Sequence, residues 1–451
     1  MRRWAWATVA AAGASVVLTP RPALAHPIGG RSDLPVPVSF FIVGASVALV
    51  VSFVLLSVLW VTPRLQDGPR VRPIRSGWAE PVFGVLQVAG VVGLVLVVAA
   101  GLFGSRSGSR NVAPVLVWVY FWLLIPFVGV VAGNVWTAIN PWRTLPSLFG
   151  WRSRERPEAL VRWGIWPAAA AFVAFTWLEL VYQSGSPSTL AVAALVYTVF
   201  LVGAMLWLGP ATGLQVADAF TSYNRLLSGI APFGRTEHGQ LTYRGWLRAL
   251  PVLPLWRGLT VFVVAMIGTV TYDGLSGTPL WRNLVGDLAF SQWFGTLALL
   301  GTVTVIGAGY WLASYVAVML SGERSRSVGD VARRFAHTLV PIAFAYAFAH
   351  YFTLLIFEGQ SLIPALSDPF GVGWDLFGTA GYRINYQLLS PQEIWGVQVA
   401  AIVVGHVLGV ILAHDRALAE FPATTAVRTQ YAMLGLMILL TSLGLAILAA
   451  G

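Results

Sequence analysis

The sequence predicts an all-α membrane protein, a bundle of about ten transmembrane helices after a cleaved signal peptide. Three observations support this fold class. Only 10% of the 451 residues are charged, whereas soluble domains carry about 25%. Apolar runs of about 20 residues, the length that crosses a ~30 Å hydrocarbon core, recur from Val38 to the C-terminus. Arginine is also distributed unequally between successive loops, as the positive-inside rule requires.

The N-terminus has the three parts of a secretory signal peptide. Arg2-Arg3 precede a short apolar stretch, 4–18, which is followed by the small-residue motif Ala23-Leu24-Ala25. Because the apolar stretch is too short to span a membrane comfortably, we expect cleavage after Ala25 and a mature N-terminus at His26. The predicted organisation is a signal peptide and a single polytopic membrane domain, 1–25 and 26–451.

Ten apolar segments bounded by turn residues have the length and composition of transmembrane helices. We predict spans near 38–61, 81–104, 114–136, 164–182, 190–210, 258–276, 292–320, 336–358, 393–413 and 429–449. All 28 basic residues are arginines, and 20 of them fall in the five loops that this arrangement places inside, against five outside. The prediction is therefore a multi-pass protein of the bacterial cytoplasmic (inner) membrane with both termini outside.

Composition also limits the function classes. The net charge of +10 follows from the loop arginines, so the predicted partner is the lipid bilayer and not nucleic acid. Without cysteine, the chain has no disulfide, thiolate nucleophile, iron–sulfur cluster or c-type haem attachment. It also lacks G-x-x-x-x-G-K-[ST], H-E-x-x-H and G-x-S-x-G motifs, which argues against ATP binding, zincin proteolysis and nucleophile-elbow chemistry.

Two connections are longer than turns. The inner connection, 211–257, has apolar residues at helical spacing, with Asp218 and Arg225 on the opposite side. This pattern predicts a helix that lies flat on the inner leaflet or, equally, one that packs beneath the bundle. The outer loop, 359–392, is rich in aromatic residues and is predicted either to cap a site or to form a rigid plug.

Ionisable residues inside spans are costly, so each marks a candidate site. Helical rise places His350 and His406 towards mid-membrane, whereas Asp273 and Glu358 lie at the outer ends of spans six and eight. We predict a polar site in the outer half of the bundle, between spans six, eight and nine and the 359–392 loop. His350 would be the principal catalytic, ligand or proton-carrying group, Asp273 and Glu358 its charge partners, and His406 the floor of the cavity.

Three interpretations of the histidines stay open. A divalent transition metal would bind His26 together with outer carboxylates, with His350 and His406 as further ligands. A b-type haem between His350 and His406 is less favoured, because helical rise offsets their depths by roughly 8 Å. In the third interpretation these side chains only hydrogen-bond neighbouring helices.

Several stretches of the mature chain form a familiar combination. They are Ala25-His26 with Gly30-Arg31-Ser32-Asp33-Leu34-Pro35-Val36-Pro37, Asn140-Pro141-Trp142-Arg143-Thr144-Leu145, Asp273-Gly274 with Thr278-Pro279-Leu280-Trp281, Pro341-Ile342-Ala343 with Ala349-His350-Tyr351, and Gly405-His406-Val407 with Leu412-Ala413-His414-Asp415-Arg416-Ala417-Leu418. Together they resemble a family of bacterial polytopic membrane proteins, some of which are named fenitrothion hydrolase. The resemblance implies hydrolysis of an organophosphorothioate triester, an apolar small molecule that would partition into the bilayer.

Other function classes fit the same residues. Ten spans with a polar mid-membrane pair suit a secondary transporter or a protein that translocates protons or metal ions. A further alternative is a haem- or copper-binding membrane subunit, or a non-catalytic assembly factor that acts with a membrane partner subunit.

Overall fold

The computed structural model describes residues 37–450, apart from 75, 76, 78, 152, 183, 184, 236–239 and 324. The predicted signal peptide, its predicted cleavage site and His26 lie outside the described residues. Processing after Ala25 and metal binding by His26 therefore stay predictions.

The first half of the described chain contains ten helices and three short strands. They are α1 (Val38–Leu59), β1 (Arg72–Pro73), α2 (Ala79–Phe103), α3 (Val112–Ala132), α4 (Trp136–Ile139), α5 (Pro141–Leu148), α6 (Glu158–Trp163), α7 (Trp166–Leu180), α8 (Pro187–Leu208), α9 (Pro210–Ala217), α10 (Ala219–Ser228), β2 (Phe233–Arg235) and β3 (Leu241–Tyr243). The strands form one antiparallel sheet in the order β1-β3-β2, in which Tyr243 of β3 lies opposite both Arg72 and Phe233.

The second half is helical in its described part. Its helices are α11 (Leu259–Ser276), α12 (Pro279–Val285), α13 (Gln292–Ser321), α14 (Val328–Ile356), α15 (Leu362–Ser367), α16 (Pro391–Glu420) and α17 (Arg428–Ala450). Short 3₁₀ turns lie between helices of both halves, at Gly108–Arg110, Gly286–Phe290 and Glu358–Ser361.

Nine helices in the described part of the chain are long and apolar enough to cross a membrane: α1, α2, α3, α8, α11, α13, α14, α16 and α17. The remaining predicted span corresponds to α7, an apolar helix of only 15 residues. Large apolar side chains face outward along these helices, for example Val85, Val199 and Val305 at 68%, 71% and 70% exposure. Apolar surface of this kind is unfavourable in water and favourable against lipid, so the protein is an all-α multi-pass membrane bundle.

Proline after a capping residue begins several helices. The side chain at the N-cap accepts a hydrogen bond from a backbone N–H of the first turn, while proline has no N–H to leave unpaired. The pairs are Asn140-Pro141 for α5, Ser186-Pro187 for α8, Thr278-Pro279 for α12 and Ser390-Pro391 for α16. Ser390 and Glu393 also form a reciprocal capping box.

All five loops predicted to be inside meet at one end of the bundle, which we call the arginine end. The loop after α1 pairs with the α10–α11 connection through β1 and β3, and the Ile165 N–H donates to the Arg257 carbonyl at 2.8 Å. Asp415 accepts hydrogen bonds from the Arg64 and Leu65 N–H groups. Arg326, from the α13–α14 loop, pairs with Glu420. These contacts agree with the predicted alternation of the spans.

The opposite end, which carries the 359–392 segment, is called here the loop end. There the Ser105 N–H donates to the Phe370 carbonyl at 2.6 Å, joining the α2–α3 loop to the 359–392 segment. The Trp177 indole near the end of α7 donates to Thr296 at the start of α13 at 2.8 Å. Helix α7 therefore runs from the arginine end to the loop end despite its length. Which end faces the cytoplasm stays a prediction from the arginine count.

The 211–257 connection packs against the bundle and does not lie flat on a membrane surface. It breaks at Asp218, which caps α10 and is fully buried, although the sequence pattern placed it on an exposed polar face. Eight of the ten residues of α10 are buried, and the helix packs on α3, α7 and α14. The second of the two predicted alternatives is therefore the correct one.

Candidate functional site

The site begins with a hydrogen-bonded pair between two spans that are not sequential. Asp273 is three residues from the end of α11, and His350 and Tyr351 lie on α14. The His350 imidazole Nε2 bonds to Asp273 Oδ2 at 2.8 Å, and the Tyr351 hydroxyl donates to the same oxygen at 2.7 Å. The structure thus brings together Asp273 and His350, the contact between spans six and eight that the sequence predicts.

Close helix packing holds this pair in place. Helix α11 packs on α7, α13, α14 and α17. A Cβ added to Gly274, next to Asp273, would lie 2.6 Å from Ile447 of α17 and 3.6 Å from His350 Nδ1. Similarly, a Cβ at Gly405 of α16 would lie 2.3 Å from the Ala345 Cβ of α14. A side chain at Gly405 would push α14 and α16 apart, because the Pro341 carbonyl oxygen is also only 2.8 Å away. A side chain at Gly274, by contrast, would require the Ile447 side chain to shift.

A second carboxylate, Glu179 near the end of α7, lies beside the pair. Its side chain is near the Asp273 carboxylate, the Trp122 indole and the Tyr351 hydroxyl. One carboxylate oxygen of Glu179 and the Trp122 Nε1 are buried, and neither has a hydrogen-bond partner within the described residues. Trp122 belongs to a π-helical stretch of α3, Leu116–Leu124, a local widening that is frequent at functional sites.

The pair borders a small cavity with mainly apolar walls. The cavity has room for about one water molecule. It lies between α11, α14, α16 and α17, and Thr271, Tyr346 and His350 supply its polar side chains. The His350 and Asp273 side chains keep 22% and 16% of their accessible surface. No residue of the 359–392 segment lines this cavity. That segment instead joins the ends of α2, α3 and α14, where the Tyr120 hydroxyl donates to the Gly359 carbonyl.

The other predicted site residues have different neighbours. Glu358 accepts a hydrogen bond from Tyr386 at 2.9 Å at the exposed loop end. His406 is fully buried in α16, where its Nδ1 bonds to the Ile402 carbonyl at 2.8 Å and its ring lies 5.8 Å from Tyr346. Its Nε2 has no partner within the described residues.

The metal interpretation receives no ligand set in the described part of the chain, and the haem interpretation stays a prediction. No group of three or more His, Asp or Glu side chains there is placed to hold a metal ion. His350 bonds to Asp273, whereas His406 bonds to its own helix backbone. The predicted ligand His26 lies outside the described residues.

Two members of the site were not identified as such from the sequence. Glu179 is the only ionisable residue of α7. That isolation inside an apolar helix is a usable signal. Trp122 gave no signal, because a tryptophan within an apolar span is usually a packing residue.

Comparisons with models of protein families, with curated proteins and with solved structures find no match to this chain. The function must therefore be argued from the geometry of the site.

Proposed function

We propose that this protein is a proton-coupled secondary transporter in which Asp273, His350 and Glu179 bind the proton. The observation that supports the proposal is the 2.8 Å Asp273–His350 bond inside the bundle, with a second, half-buried carboxylate beside it. Intramembrane chains of Asp, Glu and His are the proton relays of pumps and transporters.

The charge balance explains why this cluster would take up protons. With all three groups deprotonated, two carboxylates would share a site of low dielectric constant with a neutral imidazole. Two neighbouring carboxylates cannot both ionise readily, so one holds a proton. If His350 also takes up a proton, the imidazolium forms an ion pair with Asp273. This ion pair compensates the negative charge that remains in the site. Release and uptake of these protons would change the charge of a site that borders a cavity.

A pH jump on reconstituted protein tests this proposal without knowledge of the substrate. Proteoliposomes adsorbed to a solid-supported membrane should give a transient charge displacement when the pH is stepped, because protons enter the site. We expect Asp273→Asn to reduce the transient at least about tenfold, since the removed group is the anion that binds the proton. Asp287→Asn, an exposed carboxylate after α12, is the matched control and should leave the transient unchanged. A wild-type protein without a transient, or a full transient in Asp273→Asn, would refute the proposal.

The cavity next to His350 favours a second candidate, hydrolysis of an apolar triester as implied by the family resemblance. Asp273 orients the imidazole, so His350 could act as the general base that takes a proton from water. The water oxygen would bond to phosphorus, the bond from phosphorus to the aryl oxygen would break, and the phenolate would leave and then be protonated.

Turnover of fenitrothion by purified protein separates the two candidates. Hydrolysis predicts release of the nitrophenol product by the wild type and loss of release in His350→Ala. Turnover that is equal in the wild type and His350→Ala would exclude this site as the source.

A further inference from the structure

A second cavity lies at the arginine end, away from the acidic cluster. It is a narrow cleft between α10 and the α10–α11 connection, at the point where α7 and α11 begin. Leu226, Leu253 and Leu259 form apolar walls, and the polar groups are contributed by Ser222 and Arg225 of α10.

Arg225 places a cation in this cleft. Its guanidinium carbon lies 4.5 Å from the centre of the Trp256 ring, a cation–π contact. Within the described residues no carboxylate forms an ion pair with it, unlike Arg326, Arg334 and Arg416, which share Glu420. A half-buried guanidinium on an aromatic face retains N–H donors that an anion can accept.

Ser222 adds a buried hydroxyl to the same wall. The residue is 3% exposed, and its Oγ has no hydrogen-bond partner within the described residues. Other helical hydroxyls in this protein bond to a carbonyl of the preceding turn, as Thr269 does with Ala265 and Ser314 with Tyr310. A buried hydroxyl that lacks a partner is unfavourable, so an external acceptor is expected at this position.

We infer that this cleft binds a phosphate-bearing ligand with an apolar body, the phosphate accepting hydrogen bonds from Arg225 and Ser222. A guanidinium offers paired N–H donors to phosphate oxygens, and a hydroxyl adds a third donor. Leucine side chains on three sides would contact hydrocarbon, which inorganic phosphate does not have. The inference is independent of the proton-coupled function, because it concerns a different cavity and different residues.

An anionic phospholipid has this chemistry. In phosphatidylglycerol a phosphodiester anion is linked to acyl chains, and basic pockets between transmembrane helices bind such headgroups. The arginine end is also the end that the positive-inside rule assigns to the cytoplasmic leaflet. Free phosphate shares the headgroup chemistry but lacks the apolar part, so the two sources can be distinguished by experiment.

Ligand-induced thermal stabilisation of the detergent-purified full chain tests the inference. The probes are phosphatidylglycerol, phosphatidylcholine and inorganic phosphate. The unfolding temperature is measured as a function of the concentration of each, because a ligand that binds the folded state stabilises it by mass action. Phosphatidylglycerol should raise the midpoint for the wild type. Ser222→Ala should weaken its apparent affinity about tenfold and Arg225→Gln by more than that, because each loses hydrogen bonds to a charged group.

Arg143→Gln is the matched control, an exposed arginine at the same end of the bundle. It should respond to phosphatidylglycerol as the wild type does. The Ser222→Ala variant also separates ligand binding from a simple anchoring contact between Arg225 and Trp256, since anchoring does not need the hydroxyl. Stabilisation by inorganic phosphate as strong as that by phosphatidylglycerol, and abolished by Arg225→Gln, would overturn the apolar part of the inference and identify free phosphate as the ligand. Equal stabilisation by phosphatidylcholine, or an undiminished response in both variants, would overturn the inference.

Discussion

Two carboxylate centres inside the described part of the bundle, at Asp218 and at Asp273, have opposite hydrogen-bonding states. Asp218, between α9 and α10, accepts bonds from the Tyr197, Thr221 and Asn140 side chains at 2.7, 2.6 and 3.0 Å. It also accepts from the Phe220 N–H at 3.0 Å and, more weakly, from the Trp136 indole at 3.4 Å. Asp273 instead shares its site with a titratable imidazole and a second carboxylate, Glu179, one oxygen of which has no partner in the described residues.

The difference distinguishes a structural charge from an exchangeable one. Neutral donors surround Asp218 on every side, so adding a proton would break bonds without removing a repulsion. At the Asp273 centre a proton relieves the repulsion between two carboxylates. Burial alone therefore does not identify a functional acid, whereas the chemistry of its partners does.

The largest expected change in the free energy of unfolding comes from substitution of Asp218. Asp218→Ala leaves several buried donors without an acceptor, and we expect the free energy of unfolding to fall by roughly 3–5 kcal/mol. The measurement is SDS-induced unfolding in mixed micelles, followed by circular dichroism. Asp218→Asn keeps one acceptor oxygen, so its free energy of unfolding should fall by less than that of Asp218→Ala. A loss below about 1 kcal/mol in Asp218→Ala would show that the centre is not structural.

A smaller effect of opposite sign is expected at Glu179. Glu179→Gln removes one of two repelling carboxylates while keeping the shape of the side chain, so the free energy of unfolding should stay constant or rise by up to about 1 kcal/mol. The same unfolding titration measures it. A loss as large as that of Asp218→Ala would mean that Glu179, like Asp218, is mainly a structural anchor.

The smallest effect concerns a third carboxylate, the solvent-exposed Glu155. It accepts bonds from the Ala211 N–H and from the N–H and hydroxyl of Thr212, at the first turn of α9. Partial burial acts to raise the pKa of Glu155, but these hydrogen bonds outweigh burial and the pKa lies below its ordinary value. The stabilisation is therefore present above the ordinary pKa and is lost as the pH falls through the lower value of the folded state.

Glu155→Gln should accordingly lower the free energy of unfolding by about 1 kcal/mol at neutral pH, the usual contribution of a helix cap. Below the folded-state pKa the variant and the wild type should converge, because the wild-type carboxylate is then protonated. Unfolding titrations at neutral and acidic pH check both points. A difference that persists unchanged into acid would contradict a role for the charge.

Sequence reasoning predicted the membrane architecture well because apolar length and arginine placement are local signals. Helices α14 and α16 nevertheless extend beyond the predicted spans 336–358 and 393–413, because their polar turns pack against other parts of the arginine end. His414 and Asp415, for example, lie inside α16 and bond to Trp60.

The site was predictable only in part. The cost of burying Asp273 and His350 predicted that they face each other, but their contact depends on how non-sequential helices pack. Helical spacing predicts an exposed position for Asp218 on a polar helix face. The spacing does not reveal that the chain breaks at Asp218 and returns into the bundle. Glu358 and His406 have intramembrane or boundary positions like that of His350. Their sequence positions therefore do not show that they lie outside the site, and only their neighbours in the folded protein do.

The most direct test of the central claim is pH-difference infrared spectroscopy of the purified protein, titrated from about pH 9 to pH 4. A carboxyl group that takes up a proton gives a C=O stretching band of the protonated acid. We predict such a band in the wild type, its loss in Asp273→Asn or Glu179→Gln, and its retention in Asp218→Asn. A band that survives in both Asp273→Asn and Glu179→Gln, or that disappears only in Asp218→Asn, would contradict the assignment of the exchangeable proton to the Asp273–His350–Glu179 cluster.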